Sequence, residues 1–386
     1  MKRKLLIAAV CLIAIVALCL LLAKPVGGLL VRLGGQPVCI QGSWPDLKIV
    51  TCPQPATALP PLVGGEARPL DPGARPVIVD TDMAPDDWMA ILFLLQHPGV
   101  EVRAITVAGS GETHCGPGVQ NARNLVALAG RPGIPVACGR ETPLEGDRAF
   151  PAAWRVRADT LAGLALPANP GPPPAETAVQ LLAATVQGSP QAVTIVALGP
   201  LTNLAEVFQA EPSLAARIGM VYVMGGAFGV PGNVGLSDAG IDNQAAEWNI
   251  YVDPHAAALV LRSGAPLTFV PLDATNQAPI TEAFYDRLAE ERSTPPAEFV
   301  HRLLTLELGP IRAGTWWFWD PLAAAIGTDE TLATLAAQPV TVVGGEGPES
   351  GATRVASAGS PARIATVVDR ARFEALFLEI LNGRGP

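Results

Sequence analysis

The chain has 386 residues and a formal net charge of −9, with 49% hydrophobic and 16% charged residues. So much apolar material with so little charge excludes a disordered chain, which cannot bury enough surface to offset its ordering entropy. The acidic balance excludes a nucleic-acid reader, which needs a basic face to displace counterions, and no Lys/Arg cluster follows Lys4.

Lys2, Arg3 and Lys4 precede an uncharged run from Leu5 to Ala23. As a helix that run reaches about 28 Å, close to the roughly 30 Å hydrocarbon core of a bilayer. Residues 1–24 are therefore expected to be a signal anchor, with a cleaved signal as the alternative. Positive charge ahead of the span predicts an extracytoplasmic body, anchored by this helix or secreted if it is cleaved. Residues 25–75, Pro/Gly-rich toward their end, are expected to be an extracytoplasmic linker. Disulfides persist outside the cytoplasm, and Cys39–Cys52 is the leading pairing, with Cys115–Cys138 second to it. Zinc is the rival use of these thiols, but the chain has neither a C-x-x-C pair nor histidines at finger spacing.

From residue 76 to 386 short β-branched runs alternate with helical patterns. Strands are expected at 77–80, 102–108, 134–138, 193–198, 220–224, 267–271, 340–343 and 364–368. Helices are expected at 88–96, 119–128, 177–186, 201–209, 254–261 and 280–291. Apolar runs without alternation imply strands buried on both faces, and the β-α-β-α order implies one Rossmann-like α/β domain with a largely parallel central sheet flanked by helices.

The first strand ends in an acidic cluster, Asp80, Asp82, Asp86 and Asp87, at the carboxyl edge where open α/β sheets bind ligands. Two like charges 4 Å apart repel by about 1 kcal/mol in water and about 4 kcal/mol at an effective dielectric of 20, so converging carboxylates need protons or a cation. A hard divalent ion held by oxygens, Ca²⁺ before Mg²⁺, answers that need. Two other readings exist. Asp86 alone would serve as a helix cap. The D-x-D would also suit an aspartyl nucleophile of haloacid-dehalogenase type, although Ala84, followed by Pro85, stands where that motif wants Thr or Val.

Val196-Ala-Leu-Gly-Pro-Leu-Thr-Asn203 also ends a strand and opens a helix, so the Leu198 carbonyl can face the same cleft. Val223-Met-Gly-Gly226, Ala246-Glu-Trp-Asn-Ile-Tyr-Val-Asp-Pro254 and Trp316-Trp-Phe-Trp-Asp-Pro-Leu322 follow. In this order the motifs resemble the inosine–uridine nucleoside hydrolases and their relatives, from about Pro76 to the C-terminus. The resemblance implies one Ca²⁺ held by Asp82, Asp87, the Leu198 carbonyl and Asp320. It implies ribose binding by Asp86, Glu247 and Asn249, with Met224 and Asn233 lining the sugar site and Asp80 supporting the cation. Asn243 competes with Asn233 for that place because the intervening loop is long. In the implied reaction Asp82 is the general base for a cation-positioned water, and nearby carboxylates stabilise positive charge building on the sugar.

The chain departs from this pattern on the base side. Trp319 stands where many relatives have His before the late aspartate, so stacking on Trp319, Trp317 or Trp316 is the expected substitute. Val156-Arg-Ala-Asp-Thr-Leu161 and Val107-Ala-Gly-Ser110 replace a His-Gly-x-Asp-Gly-Leu loop and a Val-x-Gly-Asn. Glu112 and His114, in the glycine-rich loop after a strand end, are candidate proton donors. The function expected is Ca²⁺-dependent hydrolysis of the N-glycosidic bond of ribonucleosides or related ribosides, and the alternative is a non-catalytic riboside-binding protein. A small-molecule riboside is the expected partner, with no nucleic acid, the membrane met only through the N-terminal segment, and homo-oligomerisation implied by the resemblance alone.

Overall fold

Strand formation in the body follows from apolar segments with no polar face, which are stable only when covered on both sides. The structure, a computed structural model, describes residues 61–172, 175–237 and 240–384, together with three short strands ahead of them. Those strands, β1 (Leu29–Leu33), β2 (Gln36–Gln41) and β3 (Lys48–Thr51), form an antiparallel sheet of order β1-β2-β3 within the unit Met1–Pro60. The expected linker at 25–75 thus contains a small sheet, and its end belongs to the larger unit, Pro61–Pro386. Lack of side-chain periodicity does not stop a backbone from docking: Gly65 N–H donates to Leu128 O at 2.8 Å and Asp71 N–H to Pro98 O at 2.9 Å. The anchor expected at 1–24 and the Cys39–Cys52 bridge lie outside the described residues. Among the described residues no helix is long and apolar enough to cross a membrane.

The larger unit holds nine strands: β4 (Arg75–Thr81), β5 (Val100–Val107), β6 (Val136–Cys138), β7 (Val193–Ala197), β8 (Ile218–Met224), β9 (Leu267–Val270), β10 (Ala333–Val342), β11 (Thr353–Val355) and β12 (Ser360–Val368). Their order is β11-β10-β12-β9-β8-β7-β4-β5-β6. From β12 to β6 all neighbours pair in parallel, as the buried runs imply, while β10 pairs antiparallel with β12 and β11. Those last strands are joined by connections too short for a parallel crossover.

The chain leaves β4 for β5 and β6 on one side and returns to β7, β8 and β9 on the other. This reversal is a topological switch point, where the crevice outside the strand ends is open to a ligand. Asp80 pairs with Ala197 across β4 and β7, so Asp82 and Leu198 emerge side by side.

Two helices wall this crevice and are buried almost all round, Pro85–Gln96 and Trp319–Thr328. Phe318 anchors the second, with ring centroids 4.8 Å from Phe284 and 5.6 Å from Phe377. Each such buried ring stabilises the fold by about 1.5–3 kcal/mol and here fixes the backbone that carries Asp320.

Candidate active site

The acidic segment turns on one strained residue. Met83 has φ +62°, a left-handed conformation that costs a non-glycine residue about 1–3 kcal/mol. Its carbonyl accepts from the Trp88 indole N–H at 2.8 Å and its N–H donates to Thr81 Oγ1 at 3.0 Å, so the turn is pinned from both sides. Thr81 Oγ1 in turn donates to Asp87, whose other oxygen accepts from Ala84 N–H at 3.0 Å. Asp80 works as a beam beneath the site. Its Oδ1 accepts from Thr106 Oγ1 at 2.6 Å and Asn203 Nδ2 at 2.8 Å, and burial lifts its pKa to about 6.

The turn brings Asp86 and Asp87 to Asp320, with one oxygen of each within 4.8 Å of the others. Asp82 joins them: burial and then the Asp87 charge raise its pKa well above the usual carboxylate range. Burial and then the charges of Asp86 and Asp87 do the same to Asp320. Burial likewise lifts Asp86 to about 6 and Asp87 to about 7. Carboxyls so close must be neutralised by protons or by a cation. Oδ1 of Asp320 is buried with no hydrogen-bond partner, a costly state for an acceptor unless something else meets it. The donors are all oxygens, which suits a hard divalent ion.

Asp82 is held by backbone. A Cβ added to Gly111 would lie 2.1 Å from the Asp82 Cβ, and one added to Gly199 would lie 2.6 Å from it, so only glycine fits at either place. The Glu112 N–H donates to Asp82 Oδ2 at 3.1 Å. Sequence reading missed this glycine cradle, although Gly199 lies inside a motif it recognised. Burial and the neighbouring charges of Asp82 and Asp86 push the Glu112 carboxyl well up. His114 is engaged elsewhere. It turns to Asp159, with Nδ1 2.7 Å from Oδ2 and its N–H donating to Oδ1 at 2.9 Å, and its side chain is 47% exposed.

On the sugar side Asn249 Nδ2 donates to the Leu198 carbonyl at 2.9 Å and to the Met224 carbonyl at 3.2 Å, which places all three residues at the strand ends. Glu247 caps the short helix Trp248–Val252, accepting from Asn249 N–H at 2.9 Å and Ile250 N–H at 3.2 Å, and also accepts from Gly226 N–H at 3.1 Å. Burial raises its pKa to about 7, and its charge acts on Asp86 across the cleft. Asn233 Oδ1 accepts from Trp248 N–H at 3.1 Å, beside Glu247 and Asn249. The Asn243 amide is spent on scaffolding, accepting from Ala245 and Ala246 N–H and donating to Ser350 O at 2.7 Å. Trp319 is half-buried, its ring 5.5 Å from Trp317 and 6.5 Å from Trp316. The disulfide observed is Cys115–Cys138, the pairing ranked second from sequence, with Cα atoms 5.5 Å apart.

Comparison with known proteins shows the family and the fold. The model of the inosine-uridine preferring nucleoside hydrolase family matches residues 77–375. The chain is 37% identical over 246 residues to the pyrimidine-specific ribonucleoside hydrolase RihA of Shewanella sp. (strain MR-7), spanning 64% of this chain and 73% of that one. It is 40% identical over 215 residues to RihA of Salmonella agona (strain SL483), spanning 55% and 65%. Among solved structures it resembles a plant nucleoside hydrolase, with a TM-score of 0.72 and 31% identity over 80% of this chain and 99% of the other. A purine-preferring ribonucleoside hydrolase from Gardnerella vaginalis gives a TM-score of 0.70 and 28% identity over 80% and 98%.

Proposed function

The chain belongs to the inosine-uridine preferring nucleoside hydrolase family, and on that premise we propose that it hydrolyses the N-glycosidic bond of ribonucleosides in a Ca²⁺-dependent reaction, giving base and ribose. The observation that carries the calcium reading is the unpartnered, buried Asp320 Oδ1 facing a cluster of mutually repelling carboxyls. Asp82, Asp87, Asp320 and the Leu198 carbonyl would hold the ion. When bound, it would supply Lewis acidity and an anchor for water and the ribose hydroxyls.

The chain's own groups then divide the work. Asp82, fixed by Gly111, Gly199 and the Glu112 N–H, accepts the proton of the attacking water. Asp86, Glu247 and Asn249 hold the ribose hydroxyls, with Met224 and Asn233 lining the sugar. Their negative charge and amide oxygens offset the positive charge that builds on the ring as the bond to the base breaks. Trp319, with Trp317 and Trp316 beside it, offers the departing base an apolar face. No histidine stands before Asp320, and Glu112, whose loop lies against Asp82, is the proton donor this reading assigns to the base.

The test is release of free ribose by the purified chain from uridine, cytidine, inosine and guanosine, with and without a chelator. Release that chelation abolishes and calcium restores supports the proposal. Undiminished release in chelator refutes the calcium dependence, and no release from any of the four refutes the proposed reaction. An extracytoplasmic site of action is proposed from residues 1–24 and is supported by the Cys115–Cys138 disulfide, since such bonds persist in oxidising compartments. Protease accessibility of the body in intact cells tests it.

A further inference from the structure

The helix Ala152–Asp159 lies outside the acidic cluster, and its contacts lead to the back of Asp82. The loop Gly109–His114 joins β5 to the helix Cys115–Leu128. Within it the Gly111 backbone lies against the Asp82 side chain and the Glu112 N–H donates to Asp82 Oδ2 at 3.1 Å. Arg155 bridges the two ends of this loop, one guanidinium nitrogen donating to Gly109 O at 2.9 Å and to Thr113 O at 3.1 Å.

Asp159, one turn further along the same helix, secures the outgoing end. It accepts from His114 N–H at 2.9 Å and Thr113 Oγ1 at 3.0 Å. Residues four apart share a helix face, so Arg155 and Asp159 address the loop together. The helix itself is tied down on other sides. Asn121 Nδ2 donates to Ala158 O at 3.2 Å and Asp159 O at 3.1 Å, and Arg157 pairs with the buried Glu307. Trp154 lies with its ring 5.5 Å from that of Trp248, the residue between Glu247 and Asn249.

We propose that Arg155 is a positioning residue for the reaction: by fastening both ends of the Gly109–His114 loop, it holds the Gly111 backbone and the Glu112 N–H against Asp82 and so sets where Asp82 meets the attacking water. The inference rests on the reading of Asp82 as general base. Arg155 itself touches no reacting atom. Removing its guanidinium leaves two part-buried carbonyls without their donor and frees the loop to shift. Displacement of a catalytic group by about 1 Å is enough to lower a rate by about 100-fold.

The test compares Arg155→Met and Arg155→Lys with the unaltered chain at saturating calcium. It reads kcat and KM for uridine together with amide hydrogen exchange at Glu112. The Met variant is expected to lose about 30–100-fold in kcat with KM changed less than about 3-fold, because the sugar contacts are intact. Glu112 exchange should rise at least about 10-fold, as its hydrogen bond is released. Lys, which keeps a donor, should recover part of kcat and of the protection. Unchanged kcat overturns the inference, as does a kcat loss matched by an equal change in KM in both variants. If the Met variant does not fold, the Lys variant decides on the same two readouts. If the unaltered chain releases no ribose, the proposed hydrolysis fails, and unchanged Glu112 exchange in the variants would separately refute the brace.

Discussion

Gly111→Ala is the smallest change that strikes the centre of the site. The new Cβ would sit 2.1 Å from the Asp82 Cβ and 2.4 Å from its Oδ2. Non-bonded carbons settle at about 3.5–4.0 Å, so the loop and Asp82 must part by about 1.4 Å or more. A shift of that size in a catalytic group is expected to lower kcat at least about 100-fold, equivalent to about 2.7 kcal/mol on the barrier. Gly116→Ala is the control, because nothing lies within 4 Å of a Cβ built there and the residue lies in the first turn of the helix Cys115–Leu128. The assay is steady-state ribose release at saturating calcium, with a melting curve for each variant. Gly111→Ala retaining kcat within about 3-fold of the Gly116→Ala control would refute the reasoning that Asp82 must be held in place.

Other expectations follow from the same geometry. Burial and mutual repulsion raise the pKa values of Asp82, Asp87 and Asp320, so calcium must displace protons. Its affinity should rise from pH 5 to pH 8, with proton release visible by calorimetry in buffers of different ionisation enthalpy; a pH-independent affinity would contradict this. Asp80 is raised from 3.8 to about 6, so the folded state binds its proton more tightly than the unfolded one. Its contribution is complete below pH 3.8 and is lost as pH rises through 6, a change of about 3 kcal/mol at 1.36 kcal/mol per unit. Asp80→Asn should therefore flatten the fall in stability of the chelated protein over that window, measured by denaturant melts. Replacing Cys115 and Cys138 by serine, 23 residues apart, should cost about 3 kcal/mol of stability by the loop-entropy relation, and a loss near zero would contradict it. Trp319→Ala should raise KM for nucleosides about 10-fold while leaving inhibition by free ribose unchanged, since a stacked base is worth about 1–3 kcal/mol.

Much of this site could be read from the chain, and the parts that could not share a physical cause. Strands β4, β7 and β8 are legible because runs such as Val77–Val79 lack a polar face, and the acids at the end of β4 announce themselves by their density. Asp320 is legible only through its motif. The helix that carries it, Trp319–Thr328, is buried almost all round and shows no polar face to detect. The Gly111 and Gly199 cradle depends on how closely two distant backbones approach Asp82, which local sequence does not encode. His114 and Glu112 look equivalent in the loop, and the choice between them is made by Asp159, 45 residues away, which takes the histidine. Arg155 carries no local signal, because its two carbonyl partners, Gly109 and Thr113, lie 46 and 42 residues away.

The most direct measurement is anomalous diffraction at calcium from crystals of this chain grown with calcium and ribose. The account predicts a single strong peak bounded by carboxylate oxygens of Asp82, Asp87 and Asp320 and by the Leu198 carbonyl, with the sugar against Asp86, Glu247 and Asn249. A peak elsewhere, or none in a crystal whose protein still splits nucleosides in the presence of chelator, would contradict it.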